Sequence, residues 1–279
     1  MFNQLKTVFL LGILTALLLF IGSFFGQQGL TIAIFFVLVM NFGSYFFSHK
    51  IVLSMYRARP ASKSQYTKLH SMVSSLSKKV GIPKPKVFII PSDNLNAFAT
   101  GRNPKNAVIA FTSGILRALN DKELEGVAAH ELAHVKNRDI LISTVVACVA
   151  GVISYLSMMA RWAAIFGGFG GRDNNNSNVL EFLFLAILAP LLAVLIQLAI
   201  SRSREFEADA SGSKFLGNSK GLASALKKLH SHKRPMKFAN PSTAHLFIVN
   251  PLSAKGLSGL FSTHPSLEDR LERLRSMKF

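Results

Sequence analysis

Two histidines bracket the run His130-Glu131-Leu132-Ala133-His134. Four residues apart on a helix, they lie on one face, one turn apart, so both imidazoles can reach one ion. Glu131 can approach a metal-bound water without taking a ligand position, the geometry of a general base beside a Lewis acid. The competing reading is a chance match whose histidines are simply polar surface. A catalytic zinc also needs a third protein ligand and an open position for water. Arg204-Glu205-Phe206-Glu207-Ala208-Asp209 offers one: Glu205 and Asp209 are four apart and share a face, while Glu207 points away. Glu205 is then the third ligand. Asp209, shorter and one turn on, can accept a hydrogen bond from a ligating histidine and fix its tautomer. The alternative is an exposed acidic pair balanced by Arg202 and Arg204. Cys148 stands alone, so a metal must be held by histidine and carboxylate.

The elements that must position these groups can be read from pattern. Asn120 caps a helix, with Glu123 three residues on for a capping box, and Leu124, Val127, Ala128, Leu132 and Val135 follow helical spacing. Residues 62–79 read as an amphipathic helix, residues 86–90, 96–100 and 107–112 as short strands, and residues 113–119 as a helical turn or short helix. The strand at 96–100 is either an edge that pairs with an extended substrate backbone or an ordinary buried strand.

Around these lie four apolar segments, at about 8–26, 30–47, 140–166 and 179–200. Each is near the roughly 20 residues that cross a bilayer. The chain is 49% hydrophobic and only 16% charged, against about 25% charged in soluble domains, and its mean hydropathy is +0.33. The expectation is a hairpin at 1–48, a polar segment at 49–139, a second pair of spans at 140–200 and a polar segment at 201–279. The first span reads as an anchor, because no small-residue cleavage pattern follows it. Pro190, inside the fourth, is tolerable in a membrane helix. Net charge is +18, concentrated in the two polar segments, which places them and both termini in the cytoplasm. The basic residues are not interleaved with aromatics on one short element, which argues against nucleic acid as a partner.

The runs His130-Glu-Leu-Ala-His-Val-Lys-Asn-Arg-Asp139, Ser203-Arg-Glu-Phe-Glu-Ala-Asp209, Asn96-Ala-Phe-Ala-Thr-Gly101 and Thr263-His-Pro265 together resemble the HtpX family of heat-shock membrane proteases, a gluzincin-type group. The similarity extends over essentially the whole chain. Relatives that trim prenylated peptides share the metal motifs but have more spans. The resemblance implies an α+β zincin-like domain, built from two chain segments, on the cytoplasmic face of four transmembrane helices in the inner membrane. It implies one zinc per chain at His130, His134 and Glu205, Glu131 as base, and cleavage of membrane-embedded or misfolded proteins in quality control. His264, in its Thr-His-Pro setting, is the candidate donor to the oxyanion; the alternative is a loop histidine before a proline. His49, His70, His230, His232 and His245 read as solvated. The basic residues within 227–237 either meet lipid headgroups or are simply solvated. Asp139 pairs with Arg138 or orients the active helix; the sequence leaves both open.

Overall fold

The computed structural model describes residues 26–141, 143, 202–232, 241–249 and 265–279, with residues 12, 15, 16, 19, 20, 22 and 23. More than half of the span expected at 8–26, nearly all of that at 140–166, all of that at 179–200, and His264 lie outside these residues. Helix α1 (Gly26–Met55) takes in the segment expected at 30–47 and runs two turns past it. No proline interrupts it, and it stops just before Arg57, which has a left-handed φ of 51°. Among the described residues no helix is long and apolar enough to cross a membrane. Even so, α1 leaves Ile32, Phe35, Leu38 and Phe42 more than half exposed.

Four strands form one mixed sheet: β1 (Arg59–Pro60), β2 (Lys86–Ile90), β3 (Ala97–Gly101) and β4 (Ala107–Thr112). Their order is β1-β2-β4-β3, with β2 parallel to β4 and the other pairs antiparallel. Three of these strands match the expected runs to within a residue. β1 was not foreseen, since a two-residue pairing leaves no periodicity to read. β3 is an edge strand, yet every one of its residues is buried. The segment is thus both an edge of the sheet and part of the core.

Helix α2 (Thr67–Val80) buries Leu69, Val73, Leu76 and Val80 along one stripe and ends at Gly81, whose φ of 76° is easy only for glycine. Thr112 caps the short α3 (Ser113–Ala118). Helix α4 (Asp121–Lys136) carries the expected capping box: the Asn120 side chain accepts from the Glu123 N–H, and Glu123 accepts from the Asn120 N–H, each at 3.0 Å. Helices α5 (Arg202–Leu216), α6 (Lys220–Ser231) and α7 (Leu267–Ser276) follow the apolar middle of the chain.

α4 is the axis of this α+β domain and packs against α2, α5, α6 and β3. Leu222, Ala225, Leu226 and Leu229 of α6 join Leu124, Val127, Ala128 and Leu132 of α4 in the main core. Each such buried leucine contributes about 2 kcal/mol. Two glycines let backbones touch. A Cβ on Gly126 would lie 2.5 Å from the Leu222 nitrogen, and one on Gly212 would lie 2.9 Å from the His130 nitrogen. α5 can therefore lie directly on the turn of α4 that bears His130.

Candidate active site

His130 and Glu131 are buried in the middle of α4, and His134 follows one turn on. The two Nε2 atoms face each other at 3.3 Å, with the rings nearly perpendicular. Glu205 reaches over from α5. Its Oε1 lies 3.4 Å from His134 Nε2, and its Oε2 lies 3.7 Å from His130 Nε2. Each imidazole turns its other nitrogen to an aspartate. His130 Nδ1 lies 2.9 Å from Asp209, and His134 Nδ1 lies 3.2 Å from Asp139.

This arrangement carries its own chemistry. With each Nδ1 turned to a carboxylate, both Nε2 atoms face the same small space. Two imidazole nitrogens 3.3 Å apart can share one cation held between them. Ligands about 2.0–2.1 Å from a tetrahedral zinc are themselves about 3.3–3.4 Å apart, and the three donors are spaced close to that. Among the described residues, His130, His134 and Glu205 form a cluster able to hold a metal ion, their ligand atoms all within 4.8 Å of one another. The donor set, two imidazoles and a carboxylate, suits zinc.

The charges around the cluster agree. Burial pushes the Glu131 carboxyl above its ordinary value, against the pull of the two histidines, as suits a group that accepts and returns a proton. Burial by itself would lower His134, but hydrogen bonds to Asp139 and Glu205 and the charges of Glu205 and Glu131 hold it well above the usual imidazole range. The carboxylates thus draw a positive charge to the Nε2 side.

Asp139 and Arg270 are the partners that sequence reasoning did not place. Arg138 adopts φ 60°, a left-handed conformation costing about 1–2 kcal/mol for a non-glycine residue. That turn folds Asp139 back onto His134, so that its carboxylate meets the active helix. Arg270 on α7 is 1% exposed and grips Asp209 with two hydrogen bonds, from Nε at 2.8 Å and Nη2 at 2.7 Å. Its Nη1 donates to the Ile248 carbonyl at 3.0 Å and lies 3.8 Å from Glu205. Burial would raise the Asp209 carboxyl, but the Arg270 charge and hydrogen bonds, with His130, hold it below the ordinary range. The one legible signal for Arg270 was that it follows Leu267 and precedes Leu271 and Leu274 on an amphipathic helix, where a charge is ordinarily read as surface.

His245, read from sequence as solvated, instead lines the cavity beside the cluster and donates from Nε2 to the Ser143 carbonyl at 2.9 Å. Of the basic run, Lys228 donates to Glu123 at 2.8 Å and so braces α6 against the start of α4; residues 233–237 lie outside the described set. Asn96 is buried and hydrogen-bonds through its side chain to the backbone of Val249.

The model of peptidase family M48 matches residues 63–278. A protease HtpX homolog of Desulfatibacillum aliphaticivorans is 54% identical over 276 residues, covering 98% of this chain and 89% of the relative. One of Syntrophobacter fumaroxidans is 53% identical over 280 residues, covering 99% of both. Among solved structures, the crystal structure of S. mikatae Ste24p superposes on 98% of this chain with a TM-score of 0.54. At 20% identity, with 64% of that longer chain covered, the likeness speaks for the fold alone. Motif geometry, family match and near-full-length relatives agree: the chain belongs to peptidase family M48, among its HtpX proteases, and is a metalloprotease.

Proposed function

We propose that the chain is a zinc-dependent endopeptidase of the membrane, with His130, His134 and Glu205 as ligands, Glu131 as general base and one zinc per chain. The observation that carries this reading is the convergence of the three ligand atoms beside a buried carboxyl of raised pKa. Zinc held there supplies Lewis acidity, which polarises a peptide carbonyl and makes water nucleophilic near neutral pH. Glu131 takes a proton from the attacking water at its carboxylate and returns it to the leaving amine. Asp209 and Asp139 keep both imidazoles in the Nδ1–H tautomer, so that their Nε2 lone pairs serve the metal. Arg270 keeps Asp209 ionised and in place. His264 is the proposed donor to the developing oxyanion.

The four apolar segments, the exposed apolar face of α1 and the basic polar segments support a multi-pass inner-membrane protein. Its two polar segments and both termini would face the cytoplasm. Placed there, the site would cleave membrane-embedded or misfolded proteins, a quality-control role in keeping with stress response. The test is metal analysis of the purified protein, with cleavage of an unfolded substrate followed with and without a chelator. About one zinc per chain and chelator-sensitive cleavage are expected. Glu131→Gln should keep the metal and lower cleavage by about 10²–10⁴-fold; cleavage at the parent rate would refute the base assignment.

A further inference from the structure

The outer edge of β3 already has an occupant. The Asn96 carbonyl accepts from the Thr112 N–H at 3.0 Å, toward β4. By strand alternation Ala97 and Ala99 turn their backbone groups to the opposite edge. There the Ala99 N–H meets Glu131, so this edge runs alongside the reactive centre. At Ala97 the carbonyl accepts from the Ile248 N–H at 3.2 Å. The Asn96 side chain secures the next residue, donating to the Val249 carbonyl at 2.7 Å and accepting from its N–H at 3.3 Å. The Ile248 carbonyl is held by Arg270.

The same segment is fastened at its other end. Phe247 is 1% exposed, its ring edge-on to Tyr56 at 4.8 Å and to Phe98 at 5.1 Å. The Thr243 hydroxyl is hydrogen-bonded to the Tyr56 phenol, and His245 bonds to Ser143. Leu246, Phe247 and Ile248 wall the cavity that holds the metal-binding cluster, and its volume is only about 30 Å³. That leaves room for one or two waters beside the cluster.

We propose that residues 241–249 form an autoinhibitory strap, pairing with β3 where a substrate backbone would pair, and that a polypeptide reaches the cluster only when the strap lifts. This rests on the peptidase reading above. Two of the strap's fastenings, Tyr56 just past α1 and Ser143 near the start of the third apolar segment, stand where the chain meets its apolar segments. Movement of those segments is therefore a direct way to release it.

The test reads binding rather than turnover. Full-length, zinc-loaded protein carrying Glu131→Gln is titrated with fluorescein-labelled β-casein, an unfolded chain, and anisotropy gives the dissociation constant. Thr243→Val, which removes a fastening outside the cavity lining, and Ile248→Pro, which removes the donor to Ala97, should each tighten binding by about tenfold with zinc content unchanged. A synthetic peptide of residues 243–250 should compete with casein for both variants. Unchanged or weaker casein binding in variants that keep their zinc and melt as the parent does would overturn the strap, as would a peptide that fails to compete. Absence of chelator-sensitive cleavage in Thr243→Val protein that keeps Glu131 and its zinc would instead strike at the peptidase reading and leave the binding result intact.

Discussion

Asp139→Asn keeps the size of the side chain and removes the charge that His134 Nδ1–H faces. Metal affinity should fall by about 10–100-fold, measured by competition with a chromophoric chelator. Unchanged affinity would show that His134 is oriented by something else. Among the residues of the cluster, those tied to one another by helical spacing could be read from sequence. His130, Glu131 and His134 lie within one turn or so, and Glu205 and Asp209 repeat that spacing. Asp139 could not be assigned, because it reaches back five residues only through the left-handed turn at Arg138. Arg270 meets Asp209 across 61 residues of chain, and no local pattern encodes that meeting. His245 was misread for a related reason: the burial of a lone histidine is set by elements distant in sequence.

At the scale of elements, the site depends on how closely α5 lies on α4. Glu205, Asp209 and Gly212 share one face of α5, and Gly212 meets the backbone at His130. Gly212→Ala places a methyl against atoms that cannot swing aside. It should cost about 1–3 kcal/mol and weaken metal binding as well, because both carboxylates ride on the displaced helix. Thermal unfolding and metal titration together check this, and a loss of stability with metal affinity intact would contradict it. The capping box offers a pH test. Burial alone would raise the Glu123 carboxyl, but Lys228, Ser224 and the Asn120 N–H hold it below its ordinary value of 4.5. A lowered carboxyl pKa in the folded state stabilises above about pH 4.5, and that contribution is lost as pH falls through the folded value. Glu123→Gln should therefore cost about 2 kcal/mol at pH 7, with the gap to the parent closing toward pH 3. A gap of constant size would mean that the ionised form does not matter. This helix start was fully legible, since cap, box and apolar period all coincide at 120–135. The true start of α2 at Thr67 was not, because no side chain caps it.

For the whole molecule, the two polar segments were recognisable as parts of one domain because each carries half of a metal-binding pattern. How they interlock was not, because glycine contacts and buried ion pairs leave little trace in composition. The membrane assignment predicts that the protein sediments with membranes and resists alkaline carbonate extraction; release by carbonate would count against it. The clamp formed by Arg270 has a further consequence, one of timing. Ribosomes make α7 after every other described part of the site. Until it emerges, Asp209 lacks its cation and the carbonyl of Ile248 lacks its donor. The cutting centre is thus completed late in synthesis, after the helices that hold its ligands have been made.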